Sequence, residues 1–237
     1  MSKTVLITGA GTGIGLSCVK KFLNSGWNIC AHYNQTAHEL KEIEKKSGKQ
    51  KLKLIQVDFS KINQAQKFLD GIGKLKLDAL VNNAGVYDLS EGKSDRMKGI
   101  QDVFCVNIIV PTLIAQKVLQ EMKNQGRGAI VNVSSIGVKY GSSLKNIFYS
   151  ASKAGLEATT KTLAREGAPF NILVNAIRPG VTDTLFHKKL GKNLDQRKQL
   201  IPLKRLGQPD EIANFIYFLC AENTFITGET LAIAGGE

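Results

Sequence analysis

The chain has 237 residues, 43% hydrophobic and 22% charged, and 32 lysines and arginines against 20 acids leave a formal charge of +12. No uninterrupted apolar run reaches the ~20 residues of a membrane span, and residues 4–8 read as a strand rather than a signal peptide, so we expect a soluble, cytoplasmic protein that binds no membrane. By itself, the charge surplus leaves nucleic acid, an anionic membrane surface, an acidic protein and a phosphate-bearing small molecule open as partners.

Short apolar runs alternate along the chain with amphipathic stretches of helical length, and no linker, repeat or low-complexity segment separates them. The predicted strands are 4–8, 28–32, 53–57, 78–82, 129–134, 172–177 and 230–234. The predicted helices are 14–24, 37–46, 61–72, 95–125, 149–166 and 209–220. This order predicts one α/β domain over residues 1–237, a doubly wound Rossmann fold whose seven-stranded, mostly parallel sheet lies between two helical layers.

The four cysteines are widely spaced, with no C-x-x-C pair and no histidine cluster beside them. This pattern predicts reduced structural thiols and no metal site.

The first predicted strand runs into a glycine-rich turn, with glycines at 9, 11, 13 and 15, and then directly into a helix. Such a turn lets a diphosphate approach bare backbone N–H groups at a helix N-terminus, although tight strand-to-helix turns in other proteins also use glycine. The spacing is T-G-x-x-x-G-x-G rather than G-x-G-x-x-G. We interpret it as a nucleotide-binding turn.

Further motifs follow in a fixed order. They are Asp58, Asn82-Asn-Ala-Gly85, Asn107, Val133-Ser-Ser135, Tyr149-Ser-Ala-Ser-Lys153, Arg178-Pro-Gly-Val-Thr-Asp-Thr184 and Ile226-Thr-Gly-Glu229. Together with the glycine turn, these motifs resemble the classical short-chain dehydrogenase/reductase family over nearly the whole chain. The closest pattern is that of 3-oxoacyl-[acyl-carrier-protein] reductase-like members.

The resemblance implies a catalytic set of Asn107, Ser135, Tyr149 and Lys153. Tyr149 and Lys153 are four residues apart and share a helix face, where an ammonium would lower the tyrosine pKa from its usual ~10. By itself this spacing also fits a packed tyrosine beside a solvated lysine. Strand alternation sends Ser134 and Ser135 to opposite faces, and the family pattern favours Ser135. The family role of Asn107 is to bend its helix and hold a water that links the lysine to solvent.

The resemblance also implies the cofactor contacts, which surround a dinucleotide. They are Gly9, Thr12, Gly13, Ile14, Gly15, Tyr33, Asn34, Asp58, Asn83, Ala84, Gly85, Tyr149, Lys153, Pro179, Gly180, Val181 and Thr184.

The chain departs from the family pattern at the end of the second strand. NAD-preferring members carry Asp at the position of Tyr33, which repels a 2′-phosphate, and that acid is missing. The Arg or Lys that NADP-preferring members place at Thr12 or Asn34 is missing too. Because the repelling charge is the stronger determinant, we expect NADP(H) to be favoured over NAD(H). A second departure, Ala234 in place of Asp before the final glycines, touches no catalytic position.

The predicted function is an NADP(H)-dependent oxidoreductase that interconverts a carbonyl and a secondary alcohol. A 3-oxoacyl thioester is the first candidate substrate, and Lys123 and Arg127 are where an acidic carrier could dock. Against it, residues 167–171 lack the Arg usual in such reductases. The alternatives are a non-acyl ketone, sugar or pteridine as substrate, and a non-catalytic NADP(H)-binding regulator. The sequence has no motif for nucleic-acid binding, so we expect no nucleic acid as a partner.

Two segments hold most of the excess charge: residues 36–76 are net +5, and residues 187–205 are net +6. The second lies in a region, 184–205, that resembles the family's substrate lid, and a basic lid favours a phosphorylated or carrier-bound substrate. The resemblance also implies a homotetramer built through the helix around Asn107 and the helix from Tyr149.

Overall fold

One parallel sheet organises the structure, a computed structural model that describes residues 2–73, 75–88, 90, 94–188 and 194–237. Within the described residues the sheet has seven strands in the order β3-β2-β1-β4-β5-β6-β7. The strands are β1 (Thr4–Ile7), β2 (Asn28–Tyr33), β3 (Leu52–Gln56), β4 (Ala79–Asn82), β5 (Gly128–Val133), β6 (Ile172–Pro179) and β7 (Thr230–Ile233). All seven predicted strands are confirmed to within two residues at each end, and every pairing is parallel.

Helices cover both faces of this sheet. The described α-helices are α1 (Gly13–Asn24), α2 (His38–Ser47), α3 (Ile62–Ile72), α4 (Arg96–Phe104), α5 (Val110–Gln125), α6 (Gly137–Tyr140), α7 (Ile147–Gly167), α8 (Leu185–Lys188), α9 (Leu194–Leu200) and α10 (Pro209–Ala221). The prediction missed the short helices α6, α8 and α9, because segments of four to seven residues show too few periods of apolar spacing to stand out.

The predicted helix 95–125 is interrupted, which corrects the expectation of one uniform helix. Residues Cys105–Ile109 form a π-helical turn between α4 and α5. The wider π turn admits one extra residue into the winding, and such turns recur at functional sites. Here the turn carries Asn107.

Consecutive strand residues are buried on alternate faces, in two separate cores. Val5 and Ile7 of β1 pack with α1 and α10, whereas Leu6 between them packs with α3, α5 and α7. Each fully buried aliphatic side chain stabilises the fold by about 1.5–3 kcal/mol relative to exposure. Burial on both faces explains why the strands read as continuous apolar runs. All four cysteines carry free thiols, as predicted, and three of them are buried.

The stretch Arg96–Gln125 contains a segment long and apolar enough to cross a membrane, by length and composition only. Half of that segment is buried within the protein. Val110, Ile114 and Val118 pack into the core under the sheet. Core helices of globular proteins have the same properties.

The chain order reverses between β1 and β4, which lie side by side at the centre of the sheet. Connections from these two strands lead to opposite faces and leave a crevice at their carboxyl ends. The glycine turn after β1 and the Asn82–Gly85 turn after β4 meet in this crevice.

Candidate active site

A cavity of about 220 Å³ opens at the carboxyl edge of the sheet. Twelve of the predicted cofactor residues line it: Gly9, Thr12, Gly13, Ile14, Asn83, Ala84, Gly85, Tyr149, Lys153, Pro179, Gly180 and Thr184. Gly15, Tyr33, Asn34, Asp58 and Val181 lie outside its lining. The sequence therefore brings most of the predicted set to one place.

The glycine turn packs so tightly against the neighbouring turn that side chains are excluded. A Cβ on Gly9, whose φ is +66°, would lie 2.8 Å from Ala84 Cα, and one on Gly15 would lie 2.2 Å from the Gly9 oxygen. No side chain caps the N-terminus of α1. Its first N–H groups therefore suit a diphosphate, and the residues present fit a dinucleotide.

Thr8 joins the two turns by hydrogen bonds. Its hydroxyl accepts from the N–H groups of Asn83 and Ala84 at 3.0 and 3.1 Å. The Asn83 amide in turn donates to the oxygens of Thr8 and Gly9 at 3.0 and 3.1 Å. These bonds fix the floor of the cavity before any ligand binds.

His32, which the sequence analysis did not single out, supports the same turn from β2. Its Nδ1 accepts from the Gly9 N–H at 3.2 Å, and its Nε2 lies 3.0 Å from the Val57 oxygen. The ring stacks on Phe59, with centroids 3.9 Å apart. Burial lowers the pKa of His32 to about 4, so the ring is neutral and can accept. A polar residue inside an apolar strand is the signal that could have identified it.

Ser135 and Tyr149 meet at the far end of the cavity. Burial raises the pKa of Tyr149, and hydrogen bonds with Ser135 and Tyr87 partly offset that effect. Ser134 points to the other side, where its hydroxyl donates to Glu157 at 2.5 Å. The alternation expected from the strand thus places Ser135, not Ser134, beside the tyrosine.

A partly buried ion pair lies behind Ser134. Arg178 holds Glu157 with two hydrogen bonds, Nε to Oε1 at 2.8 Å and Nη2 to Oε2 at 2.6 Å. Glu157 follows Lys153 by one turn of α7, and Arg178 lies on β6. The pair therefore ties the helix that carries Tyr149 and Lys153 to the sheet.

Lys153 lies on the same face of α7 as Tyr149, with Nζ 6.0 Å from the centre of the Tyr149 ring. Its Nζ donates to the Val133 oxygen at 2.7 Å. Burial lowers the pKa of Lys153 to about 8. Lys153 is buried beside the tyrosine, so the reading as a solvated lysine does not fit. The pKa of Tyr149 is nevertheless raised rather than lowered as the sequence predicted, because burial is its largest cause.

Asn107 projects from the π turn towards the end of β4. Its Oδ1 accepts from the Val86 N–H at 2.8 Å, and its Nδ2 donates to the Val86 oxygen at 2.9 Å and to the Ser152 hydroxyl at 3.0 Å. A Cβ on Gly85 would lie 3.4 Å from Lys153 Nζ and 3.6 Å from Asn107 Oδ1. Asn107 and Lys153 therefore flank Gly85, while the direct partner of Asn107 is the Val86 backbone.

The remaining predicted cofactor residues lie towards β3 or behind the cavity. Asp58 Oδ1 accepts from the N–H and the hydroxyl of Ser60 at 2.9 and 2.8 Å, which is an ordinary turn-stabilising role. The Tyr33 hydroxyl lies 3.5 Å from Gln56, whose amide donates to the Asn34 oxygen at 2.9 Å. Val181 lines a second cavity of about 140 Å³, together with Ile201 and Leu203.

Aromatic side chains that the sequence analysis missed surround Tyr149. Tyr87 stacks on Tyr149 with centroids 4.0 Å apart, and Phe186 lies 4.6 Å from Tyr87. Phe186 and His187 line the cavity. Tyr87 follows the Asn82–Gly85 motif by two residues, and this position next to a predicted cofactor turn is the signal from which its place in the site could have been predicted.

The predicted basic lid, residues 184–205, is described in part. Residues 189–193 lie outside the described residues, but each of the four cations between 194 and 205 is engaged within the chain. Arg197 pairs with Glu237, Lys198 with Asp195 and Arg205 with Glu211, and Lys204 donates to the Gln199 oxygen. These side chains therefore do not form a field directed at a substrate.

Lys123 and Arg127, predicted to face an acidic carrier, precede β5 and so lie at the amino edge of the sheet. Lys123 pairs with Glu166 and Arg127 with Asp78. The cavity lies at the opposite edge. Docking of an acidic carrier at these two residues stays a prediction, and it would take place at the edge of the sheet away from this chain's own cavity.

Known proteins resemble this chain over its full length. A family model described as "Enoyl-(Acyl carrier protein) reductase" matches residues 9–237. The 3-oxoacyl-[acyl-carrier-protein] reductase FabG of Aquifex aeolicus is 34% identical over 99% of this chain and 96% of its own length. The acetoacetyl-CoA reductase of Rhizobium meliloti is 32% identical over 100% of this chain and 99% of its own length.

Solved structures show the same similarity. A structure described as "short chain dehydrogenase/reductase family protein" covers 99% of this chain and 96% of its own, with 29% identity and a TM-score of 0.85. A second, "ElxO with NADP Bound", covers 100% and 98%, with 31% identity and a TM-score of 0.85.

Proposed function

The chain belongs to the short-chain dehydrogenase/reductase family and is an oxidoreductase, and from that membership we propose that it interconverts a carbonyl and a secondary alcohol with NADP(H). One observation carries the proposal. Ser135 and Tyr149 line the same cavity as Lys153 and the glycine turn, and a hydrogen bond with Ser135 opposes the burial that raises the pKa of Tyr149. An acid, a polarising donor and a dinucleotide cradle therefore share one space.

Each residue of this group has a role in carbonyl reduction. When bound beside these residues, NADPH would supply the hydride that the carbonyl carbon accepts. Ser135 donates a hydrogen bond to the carbonyl oxygen, and Tyr149 gives its phenolic proton to that oxygen as the alcohol forms. Lys153 would hold the ribose of the cofactor, and its positive charge would stabilise the phenolate left on Tyr149. Asn107 holds the turn that forms the floor of the cavity.

NADP(H) is favoured over NAD(H) because no acid occupies the position of Tyr33 at the end of β2. The solved relative ElxO is described with NADP bound. Titration of the protein with NADPH and with NADH in parallel, followed by fluorescence of the bound nicotinamide, tests the preference. Tighter binding of NADH would contradict it.

A 3-oxoacyl thioester is the substrate we propose first, because the relatives include reductases named for 3-oxoacyl-[acyl-carrier-protein] and acetoacetyl-CoA. Oxidation of NADPH followed by absorbance with acetoacetyl-carrier protein, acetoacetyl-CoA and unactivated ketones would test it. Turnover of a thioester at a higher kcat/KM than any simple ketone is expected.

A non-acyl ketone is the second candidate. The lid cations between 194 and 205 are engaged within the chain, and the aromatic rings of Tyr87 and Phe186 pack around Tyr149. A neutral carbonyl compound suits such surroundings better than a phosphorylated one. Activity confined to neutral ketones in the same substrate panel would select this candidate.

We also propose a homotetramer in the cytoplasm. Ile109 and Leu113 on the long helix and Ile147 at the start of α7 are exposed apolar residues on the two helices that the resemblance assigns to subunit contacts. Light scattering of the protein and of the Leu113→Lys variant tests the assembly. A monomeric mass for the unmodified protein would contradict it.

A further inference from the structure

Tyr87 has a defined position because the residue before it is held by its backbone. The N–H and the oxygen of Val86 are both bound by the Asn107 side chain. The Tyr87 ring then stacks on Tyr149 at 4.0 Å with an interplanar angle of 30°. Phe186 packs against Tyr87 at 4.6 Å. Contacts with both rings hold the Tyr87 side chain beside the proposed proton donor.

The stacked rings of Tyr87 and Tyr149 place the two side chains so that a hydrogen bond between them contributes to the pKa of each. This bond raises the pKa of Tyr87 and lowers that of Tyr149, as expected if Tyr87 is the donor. Burial is the larger cause of the raised pKa of Tyr87. Tyr87 therefore keeps its proton under ordinary conditions and remains a donor when Tyr149 ionises.

We propose that Tyr87 is a positioning residue for Tyr149, whose hydroxyl donates to the Tyr149 oxygen and stabilises the phenolate formed there during turnover. The proposal rests on the proposed function, which makes Tyr149 the proton donor. In reduction the O–H bond of Tyr149 breaks and an O–H bond forms on the product alcohol. Tyr87 keeps its own proton throughout and stays hydrogen-bonded to the Tyr149 oxygen.

The arrangement extends the role of Asn107. The Asn107 side chain binds both the N–H and the oxygen of Val86, and Tyr87 is the next residue along the chain. The π turn thereby acts on Tyr149 through Val86 and Tyr87. This route is separate from the contact between Lys153 and the Val133 oxygen.

Tyr87→Phe removes the donor and keeps the stacked ring. In the direction of alcohol oxidation, which needs the phenolate, we expect the apparent pKa of kcat to rise by about one unit and kcat below that pKa to fall about ten-fold. The KM for NADP⁺ should not change, because Tyr87 does not line the described cavity. Tyr140→Phe, at an exposed tyrosine on α6, is the matched control. Superimposable pH profiles for Tyr87→Phe and the unmodified protein would overturn the proposal.

A second readout needs no turnover. Ultraviolet absorbance of the phenolate, taken as the difference between a protein and its Tyr149→Phe counterpart, reports the ionisation of Tyr149, because burial keeps Tyr87 protonated over the same range. We expect that ionisation at higher pH in the Tyr87→Phe background than in the unmodified one, and equal midpoints would overturn the proposal. If the unmodified protein reduces no carbonyl, the proposed function fails, yet this titration still decides whether Tyr87 acts on Tyr149.

Discussion

Lys153 and Val133 are joined by a 2.7 Å hydrogen bond from the lysine Nζ to the main-chain oxygen, in the buried floor of the cavity. Burial there lowers the pKa of Lys153 from 10.5 to about 8. Between these two pH values the unfolded chain binds more protons than the folded one. The free energy of unfolding should therefore gain a contribution that rises with pH from about 8 to 10.5, on the order of 3 kcal/mol at most.

Chemical unfolding of the cofactor-free protein and of Lys153→Met across this range measures the contribution as a difference. The lysine protein should gain stability relative to the methionine variant as the pH rises. Parallel curves would show that burial does not destabilise the ammonium.

Tyr149→Phe should lower kcat by about 10²–10⁴-fold, because the variant has no proton to give to the carbonyl oxygen. The Kd for NADPH should stay within about two-fold, since the ring remains in place at the cavity wall. Steady-state kinetics and fluorescence titration provide the two values. Undiminished turnover would remove Tyr149 from the mechanism.

Tyr33→Asp should reverse the cofactor preference. A carboxylate at the end of β2 repels a 2′-phosphate and accepts from ribose hydroxyls, so the Kd for NADPH should rise about ten-fold or more and that for NADH should fall. Tyr33→Asn is the control, because asparagine has the same shape as aspartate without its charge. If both variants weaken NADPH equally, charge does not set the preference.

His32→Asn should weaken NADPH binding by about five- to ten-fold, the value of one hydrogen bond, because the Gly9 N–H loses its acceptor. It should also change the response to acid. The pKa of His32 is lowered from 6.5 to about 4, so the unfolded chain binds the extra proton in this window, and the stability of the unmodified protein should fall as the pH drops from 6.5 to 4.

Thermal unfolding of His32→Asn at several pH values tests the second part, with His38→Asn on the exposed face of α2 as the control. The His32 variant should lose the acid sensitivity that the His38 variant keeps. Identical acid profiles for the two variants would contradict the assignment.

Glu157→Gln should destabilise the fold by about 1–3 kcal/mol, because Arg178 loses a bidentate partner. This loss of stability is smaller than that expected for a fully buried ion pair, since the Arg178 side chain is 23% exposed to solvent and partly screened. Urea unfolding measures it. The double variant with Arg178→Met should recover part of the loss, and a cost equal to the sum of the single changes would indicate no coupling.

Strand patterns and motif order predicted the sheet and most of the cavity lining, because runs such as Val5–Ile7 report burial on both faces directly. Alternation along β5 separated Ser135 from Ser134 for the same local reason. Contacts between distant segments could not be read in this way. Arg197 pairs with Glu237, forty residues further along the chain. The position of Tyr87 depends on the side-chain amide of Asn107, which lies in the π turn and binds the Val86 backbone.

Because of the π turn at Cys105–Ile109, the direction in which Asn107 points depends on the number of residues in the helix before it. One surplus residue rotates α5 by about 100° relative to a regular continuation of α4. Deleting a residue here would restore regular winding, yet it would turn Asn107 away from Val86 while leaving every polar group of the site in the sequence. The chemistry of this site thus depends on the number of residues in a helix as well as on their identities.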